Sequence, residues 1–176
     1  RQAQLNLLRK NNEIVSMRGN IDTRIKKLKG GEYDAIVLSL AGIKMLNLEN
    51  EVKEIFTIEQ MLPAIGQGVI AMQCKKDDQN TLNILKKINN KETYYCIQAE
   101  RALLESIGGD CNTAIGGLAK LSNEKIYLKS QLFSDDGKKK FEFQSSGKIK
   151  EAKEIGYKVG KELLKKAGSD FTTQGK

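Results

Sequence analysis

The chain has 176 residues, 39% of them hydrophobic, so it can bury the core of one ordinary domain or of two small ones. It contains no histidine, which excludes Ser-His, Cys-His and His-metal mechanisms within these residues. Its three scattered cysteines predict a reducing compartment, with neither a disulfide framework nor a zinc site. The formal net charge of +8 favours an anionic partner: a nucleic acid, an anionic membrane, or a carboxylate or phosphate ligand.

Most of the positive excess is lysine spread along predicted helices, a distribution typical of solvated surface. No apolar run reaches the roughly 18 residues that a transmembrane helix needs. The opening residues, RQAQLNLLRK, lack a starting Met, an apolar segment and a small-residue cleavage site, so no signal peptide is predicted. Their helical pattern leads us to expect that the chain begins within an element, as a fragment would.

The first sixty residues predict alternating helices and strands. Helices are expected over 2–10, 23–28 and 43–46, strands over 13–17 and 33–40, and a short strand or an extended segment over 51–56. The nearly unbroken apolar run YDAIVLSL is typical of a parallel strand buried on both faces, which predicts an open α/β sheet. Ligands of such sheets bind at the carboxyl ends of the strands. The residues expected together at that edge are Arg18, Asn20, Ser39, Ala41 and Gly42.

Arg18 and Arg24 flank the glycine turn between the first predicted strand and the following helix, which Asp22 or Thr23 is expected to cap. Free backbone amides at such a turn bind anions, and the rigid guanidinium fork suits carboxylates and phosphates. The alternative is that both arginines are surface ion-pair partners, and at this point the sequence leaves both interpretations open.

The segment LPAIGQGVIAMQ, residues 62–73, predicts a crossing between two domains, since one proline and two glycines interrupt it before a strand over 69–73. The elements expected after it are helices over 80–89 and 94–106, strands over 118–121, 125–133 and 139–145, and an amphipathic helix over 149–166. Turn residues between the strands indicate antiparallel hairpins. The second half is therefore predicted to be a small α+β domain, followed by a frayed tail over 169–176.

The stretch IGGDCNTAIGG, residues 107–117, places Cys111 on a turn between two pairs of glycines. Gly108 and Gly109 can take positive φ and leave the backbone open to a bulky group, and Asp110 and Asn112 are turn formers. A cysteine in this setting is presented to a ligand. The alternative is an unreactive thiol in an ordinary helix-to-strand connection, because reactivity depends on thiolate character that a sequence does not show.

Four stretches, in this order, resemble the porphobilinogen deaminase (hydroxymethylbilane synthase) family. They are RQAQL, RGNIDTRIKKLKGGEYDAIVLSLAGIKML, LPAIGQGVIAMQC and ETYYCIQAERALLESIGGDCNTAIGG. The resemblance implies a three-domain protein of which residues 1–62 are the latter part of a periplasmic-binding-protein-like second domain, 63–90 a hinge and crossing segment of the first domain, and 91–176 the third domain. The rest of the first domain and the start of the second are expected to be absent, so the chain is expected to be an inactive fragment.

The resemblance implies a cytoplasmic, monomeric transferase of haem biosynthesis that joins four porphobilinogen molecules into hydroxymethylbilane, releasing ammonia at each step. An organellar location is possible if a transit peptide precedes these residues. The growing chain is held on a dipyrromethane cofactor, attached by thioether to the cysteine that Cys111 matches. The other residues that the resemblance assigns to the cofactor are Arg1, Arg18, Arg24, Ser39, Ala41, Gly42 and Gln67. Those that it assigns to the substrate are Arg18, Arg24 and Lys75, and no metal is implied.

Departures from the family pattern limit this assignment. Met45 stands where an arginine is common, so one carboxylate contact is either lost or supplied by Lys44, and Ala114 stands where proline is common, which changes loop stiffness. No residue matches the family's catalytic aspartate, and Asp110 corresponds to a loop position. The alternative function is a non-catalytic module that binds anions or nucleic acid, although the positive charge is not clustered and aromatic residues are only 6%.

Overall fold

A computed structural model of the chain describes residues 1–110 and 112–171. Its helices are α1 (Gln2–Leu8), α2 (Ile21–Lys29), α3 (Leu40–Met45), α4 (Gln79–Ile88), α5 (Lys91–Ser106) and α6 (Ala152–Ala167), and its strands are β1 (Ile115–Ser122), β2 (Lys125–Phe133) and β3 (Lys140–Lys148). The chain divides into two compact units. One comprises Gln4–Gln60 with Gln2, and the other comprises the residues from Met61 on, with Arg1 and Ala3.

The three strands form one antiparallel sheet in the order β1-β2-β3, covered by α5 and α6. Asn123 and Glu124 both have positive φ, at 49° and 58°, which is the conformation of a tight hairpin turn between β1 and β2. Ile126, Leu128 and Leu132 alternate along β2 towards the helices and are almost fully buried. This helix, sheet and helix arrangement confirms the predicted small α+β domain.

Helices α5 and α6 approach each other closely at two glycines of α6. A Cβ atom added to Gly156 would lie 2.3 Å from the carbonyl oxygen of Ala99, and one added to Gly160 would overlap Ser106. The absence of side chains at these positions lets Val159 and Leu163, both 0% exposed, reach the core beneath the sheet. The core therefore depends on small residues as much as on large ones.

The unit Gln4–Gln60 is built differently. Its described residues include α2 and α3 but no strand, and Ile43 is the buried hydrophobic residue among them. The predicted strands over 13–17 and 33–40 were wrong, since neither segment carries a ladder. The segment 51–56, predicted as a short strand or an extended segment, begins in a short 3₁₀ helix, Glu49–Glu51, and continues with an extended backbone at Val52 but forms no strand. The same holds for 69–73 in the other unit. A strand exists only when its backbone pairs with a neighbour, and the described residues of these segments have no paired strand.

The remaining differences concern the ends of elements. Asn20, not Asp22 or Thr23, occupies the N-cap of α2, and it has the extended backbone of a cap without a capping side-chain bond. Helix α5 begins at Lys91, because the Asn90 side chain accepts a 2.9 Å hydrogen bond from the Thr93 backbone amide. At the other end, Gly168–Asp170 forms a 3₁₀ turn instead of a frayed tail, while residues 172–176 lie outside the described part of the chain. Among the described residues, no helix combines the length and apolar character needed to cross a membrane.

Candidate functional site

The turn before α2 holds the first pair of candidate binding residues. Gly19 has a φ of +120°, which only glycine adopts without strain, and it turns the chain into the N-cap Asn20. Arg24 lies in the first turn of α2. Its Nε atom donates a 2.7 Å hydrogen bond to the Gly19 carbonyl oxygen, which holds the guanidinium group against the glycine turn. Arg18 is exposed beside it, and among the described residues no carboxylate pairs with it.

The start of α3 lies against the start of α2. The Gly42 backbone amide donates to the Ser39 hydroxyl oxygen at 3.4 Å, a long bond that places Ser39 as the N-cap. A Cβ atom on Gly42 would lie 2.5 Å from Cδ1 of Ile21, so this glycine lets the two helix starts touch. The structure therefore brings the Arg18–Asn20 turn near Ser39, Ala41 and Gly42, through helix packing instead of through the edge of a sheet.

This arrangement suits a ligand with carboxylate groups. Two guanidinium groups and the backbone amides at the start of α2, where Asn20 makes no capping side-chain bond, supply the donors that carboxylates accept. Because Arg18, Ser39 and Ala41 are exposed, a bound anion would reach them without displacing core residues. Met45, which stands where an arginine was expected, is 84% exposed. Lys44 next to it is also exposed, so the lysine is available as a substitute cation.

The cysteine loop connects α5 to β1, and Cys111 itself lies outside the described residues. Gly108 has a φ of +62°, as the sequence predicted, and closes the end of α5. Gly109 was expected to be open to a bulky group, and that prediction was wrong. A Cβ atom there would lie 2.8 Å from Leu104 Cδ1 and 3.0 Å from Thr113 Oγ1, so Gly109 serves the close packing of the loop on its own helix.

Hydrogen bonds tie together the residues on either side of position 111. The Asp110 amide donates to Thr113 Oγ1, and the Asn112 amide donates to Asp110 Oδ1, each at 2.8 Å. Hydrogen bonds to the carboxylate, first the one from the Asn112 amide and then those from the side chains of Thr113 and Asn112, lower the pKa of Asp110. Ile107 and Ile115 are 0% and 8% exposed, so both ends of the loop are anchored in the core.

Gln67 lies on a tight turn of residues 64–67. The turn is closed by the Gln67 amide, which donates to the Ala64 carbonyl oxygen at 3.0 Å, and it requires a glycine at position 66, where φ is +72°. The Ala64 amide donates to Gln67 Oε1 at 3.2 Å, so the side-chain carbonyl is used within the turn. The side-chain NH₂ group is then oriented by that bond, and an amide NH₂ can donate to a carboxylate.

Sequence reasoning missed Glu100, which the structure places in the core of the same unit. Its side chain is 5% exposed, and the carboxylate accepts hydrogen bonds from the Gly66 amide at 2.8 Å and the Ala119 amide at 2.9 Å. Burial raises the pKa of Glu100, and these two bonds oppose the rise only in part. The available signal was its position on the helix, four residues after Cys96 and three before Leu103, on the apolar face of α5.

The two remaining candidate binding residues are exposed, and the two cysteines outside the loop are partly buried. Arg1 and Lys75 are exposed, and the Lys75 carbonyl oxygen accepts a 3.2 Å bond from the Asp78 amide at the start of α4. Burial, and after it the nearby charge of Glu100, raise the pKa of Cys96, which disfavours its reactive thiolate form. Cys74 is partly buried, and among the described residues it forms no disulfide.

Comparisons with known proteins point to one family. The family model described as "Porphobilinogen deaminase, dipyromethane cofactor binding domain" matches residues 1–83, and "Porphobilinogen deaminase, C-terminal domain" matches residues 94–165. A relative from Coxiella burnetii (strain CbuG_Q212) named "Porphobilinogen deaminase" is 40% identical over 171 residues, which are 97% of this chain and 56% of the relative. One of the same name from Syntrophomonas wolfei is 37% identical over 169 residues, 96% of this chain and 55% of that protein. The chain thus spans about half the length of the curated relatives it matches.

Proposed function

The chain belongs to the porphobilinogen deaminase family, and from this membership we propose that the protein containing it joins four porphobilinogen molecules into hydroxymethylbilane, releasing ammonia at each step. The observation that carries the proposal is the contact between the starts of α2 and α3, where Arg24 is held and Arg18 is exposed. Porphobilinogen carries an acetate and a propionate, so a chain of linked pyrroles presents a row of carboxylates. Two guanidinium groups and the amides of a helix start fit such a ligand.

The cofactor of this function is a dipyrromethane, which supplies the covalent anchor for the growing pyrrole chain. We assign its thioether to Cys111, in a loop whose described flanks are pinned by Ile107 and Ile115. The other residues that we propose to bind the cofactor are Arg1, Arg18, Arg24, Ser39, Ala41, Gly42 and Gln67. Those that we propose to bind the incoming substrate are Arg18, Arg24 and Lys75. The thioether is formed once and kept, so it needs no histidine to activate the thiol at every turnover.

We assign no proton-donor role to Asp110. Its lowered pKa keeps it ionised at neutral pH, and both of its carboxylate oxygens accept hydrogen bonds within the loop. A general acid must hold a proton near the working pH. We therefore place the catalytic acid outside these residues, in the first domain of the complete protein.

The proposed domain organisation follows the family. Residues 1–62 belong to the second domain, 63–90 to the hinge and crossing segment of the first, and 91–176 to the third. The proposed partner is the small molecule porphobilinogen, and the complete protein is proposed to be a cytoplasmic monomer that binds neither nucleic acid nor membrane.

Intact-mass analysis of the complete protein tests the anchor. With Cys111→Ser, we expect the covalent mass of the dipyrromethane to disappear, because no other thiol lies in the cysteine loop. Cys74→Ser and Cys96→Ser are the matched controls and should keep the added mass. A Cys111→Ser protein that still carries the cofactor would contradict the assignment.

Ammonia release tests the position of the acid. The 176-residue chain alone, supplied with porphobilinogen, should release no ammonia above the uncatalysed rate. Measurable turnover would place an acid inside these residues and refute the proposal that it lies in the first domain.

A further inference from the structure

We propose that Glu100 is a positioning residue that holds the turn bearing Gln67 against the strand that leaves the cysteine loop. This inference rests on the proposed function, since Gln67 is a cofactor contact only there. The Glu100 carboxylate spans two elements: one oxygen accepts from Gly66 in the turn, the other from Ala119 in β1. Its role is to orient the side-chain amide of Gln67 relative to β1, the strand that follows the cysteine loop.

The turn has further ties to β1. The Gly117 amide donates a 2.9 Å hydrogen bond to the Pro63 carbonyl oxygen. A Cβ atom on Gly117 would lie 2.4 Å from Cδ1 of Ile65, so the glycine makes room for that side chain next to Leu103. Since β1 begins at Ile115, directly after the cysteine loop, the turn and the exit of the loop share one support.

A carboxylate is a costly way to fill this position if packing were its only task. Burying a charge requires good hydrogen bonds, and an apolar side chain of similar volume often stabilises a core as well or better. Glu100 pairs with no Lys or Arg among the described residues, and its compensation comes from the two backbone amides. Hydrogen bonds are directional, and apolar contacts are not. Two acceptor atoms therefore hold the turn in one orientation, which an apolar side chain could not do.

Hydrogen exchange in the complete protein tests the tether without reference to catalysis. Glu100→Gln keeps the shape of the side chain but replaces one acceptor by an NH₂ group, which faces an amide donor. We expect exchange at the Gly66 and Ala119 amides to accelerate about tenfold or more. Glu105→Gln is the matched control on the same helix: its carboxylate accepts from the Tyr157 hydroxyl, and its loss should leave both amides unchanged. Unchanged exchange in Glu100→Gln would overturn the tether.

Kinetics with the cofactor-loaded complete protein test the link to Gln67. Glu100→Gln should lower kcat/KM for porphobilinogen about tenfold, since a misplaced binding group is costly for a reaction that needs orientation. In a Gln67→Ala background the same change should cost less than about twofold, because the group that it positions is already gone. Val159→Ala, a core change far along the chain from the turn, controls for lost stability and should leave kcat/KM within about twofold.

The outcomes separate this inference from the proposed function. If the losses from Glu100→Gln and Gln67→Ala add independently, or if Val159→Ala lowers kcat/KM as much as Glu100→Gln does, the positioning role is overturned while cofactor attachment at Cys111 stands. If the cofactor mass persists in Cys111→Ser, the anchor assignment fails, and the exchange result still decides whether Glu100 holds the turn.

Discussion

The unit Gln4–Gln60 and the helix–sheet–helix region 91–171 show two relations between sequence pattern and structure. In 91–171 each predicted strand pairs with the next one along the chain, and α5 and α6 cover the resulting sheet with a continuous apolar core. In Gln4–Gln60 the apolar run YDAIVLSL is as strand-like as any segment of β2, yet it carries no ladder and its side chains are partly buried or exposed. An apolar pattern thus becomes a strand where its partners are neighbours in sequence, and stays unpaired where the described residues offer none.

Truncation of Leu103 should give the largest loss of stability. This side chain is 0% exposed between α5 and the sheet, so Leu103→Ala should destabilise the chain by about 2–5 kcal/mol. Leu46→Ala, the same change in the other unit at a residue that is 42% exposed, should cost less than about 1 kcal/mol. Urea unfolding followed by circular dichroism measures both, and equal losses would show that the two units are packed alike.

The glycine contact between α5 and α6 should give the next largest effect. A Cβ atom on Gly156 would meet the backbone of Ala99 and Leu103 at 2.3 and 2.8 Å, and backbone cannot move aside cheaply. Gly156→Ala should therefore cost about 1–3 kcal/mol by pushing the helices apart. Gly30→Ala, at a helix end with a φ of −78° and nearest contact at 3.3 Å, should stay within about 1 kcal/mol of the parent chain. A tolerated Gly156→Ala would mean that α6 can shift without loss.

The buried carboxylate of Glu100 should make the free energy of unfolding of the unit from Met61 on depend on pH. Because the folded-state pKa of Glu100 is raised above that of the unfolded chain, the folded state binds the proton more tightly. Its stabilising contribution is fully present below the unfolded pKa, about 4.3, and is lost as pH rises through the folded pKa. The free energy of unfolding of the parent chain minus that of Glu100→Gln should therefore fall as pH rises from about 4 towards neutrality.

Urea midpoints of the two proteins across this pH range measure the difference. Glu105→Gln, which leaves Glu100 intact, should show the same decline relative to Glu100→Gln. A difference that rises with pH would mean that the two amide bonds to the carboxylate outweigh its burial.

Loss of the loop bonds should give the smallest effect on stability. Asp110→Ala removes the acceptor of the Asn112 amide, so exchange of that amide should accelerate, while the melting temperature should hardly change because the carboxylate is at the surface. Asp110→Asn keeps an oxygen at Oδ1 and should preserve most of the protection. Equal exchange in both variants would show that the loop is held by its anchored ends alone.

Sequence reasoning was most successful where the interactions are local. Helix α4, the hairpins of the sheet and the amphipathic helix α6 follow from apolar spacing and turn residues a few positions apart. It was least successful for Gly109 and Glu100, whose roles depend on residues that packing brings near. At Gly109, Leu104 and Thr113 leave no room for a side chain. The Glu100 carboxylate accepts hydrogen bonds from amides 34 residues before it and 19 residues after it.

The sequence indicates the family and the candidate binding residues directly, because both depend on residue identity and order along the chain. It also determined the α+β region, where every strand finds its partner in the adjacent segment. Three-dimensional packing is needed to show that Ile21 meets Gly42, so that the starts of α2 and α3 lie together, and that Glu100 joins the Gln67 turn to β1. Hydrogen bonds and close contacts act over a few ångströms in space, whereas a sequence records only distance along the chain.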